Sequence, residues 1–264
     1  MSRDDTLHTR IWLEQPEPDN PFAARVAYCH GYDVFGEMLG RARWVEMLYL
    51  LFQGERPDPQ QAALLEALAL ALANPGPRDP SIHAAMCGGV GGSTAAASLI
   101  AALAVGAGGT GGAHEVMVAR QWWQRCGTDL AAWRAAMATP EPEEANTWPA
   151  LEHPPGFDPN GATTPTTVRQ ALSCCATLSP GPHLPWLAVE LTALEEAAGL
   201  PLSLAGLAAA AFADLGCTPA QSEMLYLLLR LPGAAAHALE QTAYGFKRFP
   251  FYPIDLGGPQ GVLR

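Results

Sequence analysis

The chain has 264 residues, of which 49% are hydrophobic and 16% charged, enough apolar material to bury a large core. Its formal net charge of −11 opposes a polyanionic partner, so nucleic acid is not expected. Alanine and leucine dominate and no long alternating β-branched run occurs, so the expected class is all-α.

Taken in chain order, residues 1–30 are expected to run extended over the surface, with Pro16, Pro18 and Pro21 among acidic side chains. Helical periodicity starts near Val34 and continues to Phe52, where Gly54 and Pro57 stop it. Asp58 followed by Pro59 starts the next helix, as N-cap and first-turn residue, and that helix should reach Leu72. The run from Asn74 to Pro80 is a rigid break, and Asp79 or Ser81 caps the helix after it. Gly88-Gly89-Val90-Gly91-Gly92-Ser93 precedes an apolar helix from Ala95 to Val105, where small side chains let helices approach closely. That run is too short to cross a bilayer, and no membrane partner is expected.

A second small-residue turn, Gly106 to Gly112, leads into a helix carrying Glu115, Arg120, Trp122 and Trp123. Residues 139–167 form a proline-rich acidic loop, the kind of segment that often borders a site. Helices resume over 167–177, 184–198, 204–215, 219–229 and 233–245, ahead of a Pro- and Gly-rich tail. The six cysteines lack the paired spacing of a zinc site and read as reduced, mostly buried thiols of a cytoplasmic protein. No metal site is expected, since no histidine pair has ligand spacing. Trp122, Trp123 and Trp133 read as core or subunit interface.

Several blocks, in order, resemble the citrate synthase and citryl-CoA lyase family. They are Gly31-Tyr32-Asp33-Val34, Leu50 to Pro57, Gly111-Gly112-Ala113-His114-Glu115, Arg230-Leu231-Pro232-Gly233 and Ala236-His237-Ala238-Leu239-Glu240. The resemblance runs from Gly31 to Tyr252 and implies a large helical domain, 31–166 with 216–264, holding a small domain at 167–215. It further implies a homodimer or higher oligomer, which the small apolar faces at Gly88 to Val105 suit, and a CoA thioester as substrate with no required cofactor; a hetero-subunit is another candidate partner.

The family's chemistry joins or breaks a carbon–carbon bond with one carboxylate base and two imidazoles, while arginines hold keto-acid carboxylates. Here Thr110 stands where the resemblance places the enolate-binding histidine, and Asp158 or Pro159 where it places the carbonyl-polarising one. Ala205 replaces the catalytic aspartate, and Pro75 a further histidine. Arg230 is kept as the substrate-binding candidate, with an ion pair to Glu223 or Glu240 as the plainer reading. Thr110, His114 and Asp158 are the catalytic candidates of a rebuilt site. For His114 the plainer and preferred reading is a helix-start residue bonded to nearby backbone. Two functions are compatible with this pattern: a divergent relative without standard citrate synthase activity that acts on an acyl-CoA or keto acid, or a non-catalytic structural or regulatory subunit.

Overall fold

The computed structural model describes residues 9–139 and 151–249. The first part of the expected 139–167 loop, residues 140–150, and the proline-rich tail lie outside these residues. Among these residues ten α-helices follow a small N-terminal sheet: α1 Trp44–Gln53, α2 Pro59–Leu72, α3 Pro80–Val90, α4 Ala95–Gly106, α5 Ala113–Cys126, α6 Leu130–Ala138, α7 Thr166–Leu178, α8 His183–Ala198, α9 Leu204–Asp214 and α10 Pro219–Tyr244.

The helical class stands, and the N-terminal segment adds to it. Residues expected to run loose over the surface instead form a hairpin, β1 Trp12–Glu17 paired antiparallel with β2 Asn20–Cys29, which in turn pairs with the short β3 Tyr32–Asp33. Pro16 is tolerated because β1 is an edge strand, and the register shifts on either side of it. Val34–Met38 is a π-helical turn capped by Asp33, so regular helix begins only at Trp44.

Asp58 caps α2 as expected. Its carboxylate accepts the N–H groups of Gln60 and Gln61, and the Gln61 side chain returns a bond to the Asp58 N–H. Asp79, rather than Ser81, caps α3. Helix α6 is not expected from the sequence; Asp129 caps it, and it delivers Trp133 to the core. Helix α10 runs through Pro232 without the break that the Pro-Gly pair suggests.

By contacts the chain divides into two compact units, Met1–Asn74 with Gly106–Arg230, and Pro75–Val105 with Leu231–Arg264. The segment 167–215 lies wholly within the first. That unit is organised around α9, in which every residue from Ala205 to Ala213 is buried. Its alanines let α5, α8, α7 and α2 all pack on one short helix. Trp123, Trp133 and Trp186 close one end of this core through ring contacts of 4.8 to 6.5 Å, so the expected tryptophan cluster is core. In the second unit a side chain on Gly89 would meet the Ala238 carbonyl at 2.1 Å, which is why glycine stands there.

All six cysteines are free; Cys87 and Cys174 are exposed and the other four buried. Burial pushes the Cys217 thiol up to about 12 and the Cys175 thiol up to about 11, which keeps both protonated.

Candidate functional site

The glycine turn ahead of α5 folds back on itself. A β-carbon on Gly112 would meet the Gly108 carbonyl at 2.3 Å, and Gly111 takes a φ of +67°. This turn sets Glu115 in the first turn of α5, where the helix dipole favours a carboxylate. Glu115 is 1% exposed. Its Oε2 accepts the Gly111 N–H, and its Oε1 accepts the Gly156 N–H at 2.8 Å. One carboxylate therefore ties the glycine turn to the loop that carries Pro155-Gly156-Phe157.

That loop is pressed against α9. A β-carbon on Gly206 would meet the Gly156 carbonyl at 2.2 Å, and Gly156 itself has a φ of +90°. The Gly156 carbonyl accepts the Ser203 N–H at 3.0 Å, and Phe157 bridges antiparallel to Leu202. No side chain larger than hydrogen fits at either glycine.

The carbonyl of Gly111 is held from the other side. Tyr226 Oη and Arg230 Nη1 each donate to it at 3.1 Å, and the Arg230 guanidinium lies 4.8 Å from the centre of the Tyr226 ring. Arg230, the expected carboxylate binder, is 6% exposed and anchors the glycine turn. Neither the carboxylate-binding nor the ion-pair reading of that residue anticipates this bond to a backbone carbonyl.

The other candidates divide between the turn and the neighbouring loop. Thr110 is exposed on the turn, one residue before the clamped Gly111. His114 is buried at the start of α5, and its N–H donates to the Ala107 carbonyl at 3.3 Å. Thr110, His114 and Arg230 thus share the glycine turn. Asp158 belongs to the neighbouring loop, where its carboxylate accepts the Asn160 N–H and its own N–H donates to the Pro201 carbonyl. Ala205, where the resemblance expects an aspartate, is a buried methyl in the core. Elsewhere, His237 faces Glu240 at 3.6 Å and the His83 ring lies 5.7 Å from Phe249.

Sequence reasoning missed His153. Its side chain is 7% exposed, and Nε2 lies 3.7 Å from Glu115 Oε1. The signal was an imidazole directly before the Pro-Pro-Gly-Phe run. His153, Val118, Trp122, Ala136, Met137 and Pro154 line a cavity of about 320 Å³. Among the described residues no three His, Cys, Asp or Glu side chains gather to hold a metal, and no helix is long and apolar enough to cross a membrane.

Several solved structures share this architecture. Citryl-CoA lyase from Hydrogenobacter thermophilus matches with a TM-score of 0.67 at 18% identity, covering 94% of each chain. The chain has the citrate synthase fold. ATP citrate lyase from Methanothrix soehngenii, solved with citrate and coenzyme A, matches at TM-score 0.69 and 18% identity over 92% of this chain. A Methanosaeta concilii ATP citrate lyase variant, solved with (3S)-citryl-CoA, matches at TM-score 0.68 and 18% identity over the same share. The chain spans 40% of the length of these two lyases. No protein-family model matches the sequence, and no curated protein matches it at a significant level.

Proposed function

We propose that this is a divergent citrate synthase- or citryl-CoA lyase-like protein without standard citrate synthase activity, which binds an acyl-CoA or keto acid beside the glycine turn. The observation that carries this reading is the clamp on Gly111. Tyr226, Arg230 and Glu115 fix both its carbonyl and its N–H, so Thr110 is presented from a rigid base. Preorganised positioning of this kind is what a binding or catalytic loop requires.

Standard citrate chemistry needs a base and two imidazoles at one place. The methyl of Ala205 cannot take a proton, and the Asp158 carboxylate is engaged with the Asn160 N–H. The Thr110 hydroxyl offers one neutral donor where an imidazole would offer a stronger one. Acyl-CoA binding, a homodimer or larger assembly, and a cytoplasmic location all belong to this proposal.

One observation favours the second reading, a non-catalytic structural or regulatory subunit: Arg230 and Asp158 both hold backbone in place. Thermal denaturation with acetyl-CoA, CoA, citrate and oxaloacetate separates the two. A ligand present at a hundred times its Kd stabilises by about 2.7 kcal/mol, worth several degrees in a chain of this size. The proposal expects such a rise with an acyl-CoA or a keto acid. An unchanged melting temperature with all four at millimolar concentration would sink it and leave the non-catalytic subunit.

A further inference from the structure

The cavity beside His153 has both apolar and polar walls. Val118 and Trp122 of α5, Ala136 and Met137 of α6, and Pro154 supply apolar walls. The polar lining comes from Thr139, Glu152 and His153. Neither nitrogen of the His153 ring makes a hydrogen bond to a described residue, although the side chain is only 7% exposed. Nε2 is the buried nitrogen, and leaving it without a partner is costly.

Behind the ring, Glu115 Oε1 lies 3.7 Å from Nε2, just beyond hydrogen-bond reach. The Glu115 carboxylate cannot turn away, because Gly111 and Gly156 hold one oxygen each. A carboxylate fixed at that distance favours the proton on Nε2, which leaves Nδ1 as the acceptor. This is the arrangement in which a carboxylate orients an imidazole toward a bound group, with the bond tightening when the site fills.

We propose that this cavity binds a small uncharged molecule, or an uncharged part of a larger one, with an aromatic or apolar body and one hydroxyl-type donor that His153 accepts at Nδ1. The volume, about twice that of a cavity that holds one benzene ring, has room for a ring and its substituents, and Trp122 and Met137 offer an aromatic face and an adaptable thioether. Glu115 behind the ring and Glu152 on the lining set the local potential against an anion, while Arg125 is engaged over the Trp122 ring at 5.1 Å. The proposal stands whether or not the protein binds acyl-CoA.

The test uses the full chain labelled with ¹⁵N-histidine and titrated with phenol, toluene and benzoate while the His153 ring resonances are followed. Phenol should saturate, shift Nδ1 and bind about three- to tenfold more tightly than toluene, the value of one added hydrogen bond. Benzoate should bind more weakly than phenol. In His153→Ala the advantage of phenol over toluene should vanish, and Ala136→Leu, which narrows the cavity, should weaken both ligands. Equal affinity for phenol and toluene, tighter binding of benzoate, or no saturable binding at all would overturn the proposal. The comparison of probes on the wild-type chain decides this even where a variant folds poorly.

Discussion

Two buried carboxylates each face a histidine in this protein, and they are used differently. Asp214, at the end of α9, meets its histidine closely: His183 Nδ1 lies 2.7 Å from Oδ1. The same carboxylate accepts the N–H groups of His183 and Leu184 and the Ser179 hydroxyl, so it caps the start of α8 with every bond filled. Glu115, at the start of α5, accepts only two backbone N–H groups and stands 3.7 Å from His153. Saturation marks the first pair as scaffold. The gap in the second, next to a cavity, marks it as a site.

The sharpest way to break this contrast is to delete each carboxylate. Asp214→Ala strands four donors and should cost about 3–5 kcal/mol, the range seen when a buried charged partner is removed. Glu115→Ala strands two N–H groups and should cost about 2 kcal/mol. Urea unfolding at neutral pH measures both. A larger loss for Glu115→Ala would mean that the glycine turn, and not the α8–α9 junction, holds the core together.

Acid should separate the pairs next. Burial pushes the Asp214 carboxyl up, but bonds from the His183 ring, the Ser179 hydroxyl and the Leu184 and His183 N–H groups outweigh it and hold it below the usual carboxylate value. A carboxylate lowered on folding contributes stability that is complete above its unfolded pKa, about 3.9, and is lost as pH falls through the folded value. The stability advantage of the wild type over Asp214→Asn should therefore shrink as pH falls below about 4. An advantage that grew below about pH 4 would reverse the sign and refute the assignment.

Legibility in the sequence tracks the range of the interactions. Helix α2 is readable because Asp58, Pro59 and Gln61 cap it from within four residues. The glycine turn is readable for the same reason, since it bonds to His114 and Glu115 only a few residues on. The hairpin is not, because prolines at Pro16 and Pro18 disguise an edge strand whose partner alone defines it. The pairs Asp214 with His183 and Gly156 with Glu115 join residues 31 and 41 apart, and no local period announces them. His153 stays hidden for that reason: its meaning comes from Glu115, on another element.

The smallest expected effect tests how firmly the glycine turn is held. Gly111 is bonded at its N–H by Glu115 and at its carbonyl by Tyr226 and Arg230. Tyr226→Phe removes one of the two donors to that carbonyl and leaves the ring on which Arg230 stacks. Because Arg230 Nη1 still satisfies the oxygen, the cost should stay near 1 kcal/mol, the net worth of a single hydrogen bond. Amide exchange at Gly111 should quicken only in proportion. A loss of 3 kcal/mol or more, roughly what stranding a buried carbonyl outright would cost, would show that Arg230 does not hold the turn by itself. Arg230 would then depend on the tyrosine for its own position, and the clamp would be one cooperative unit instead of two independent bonds.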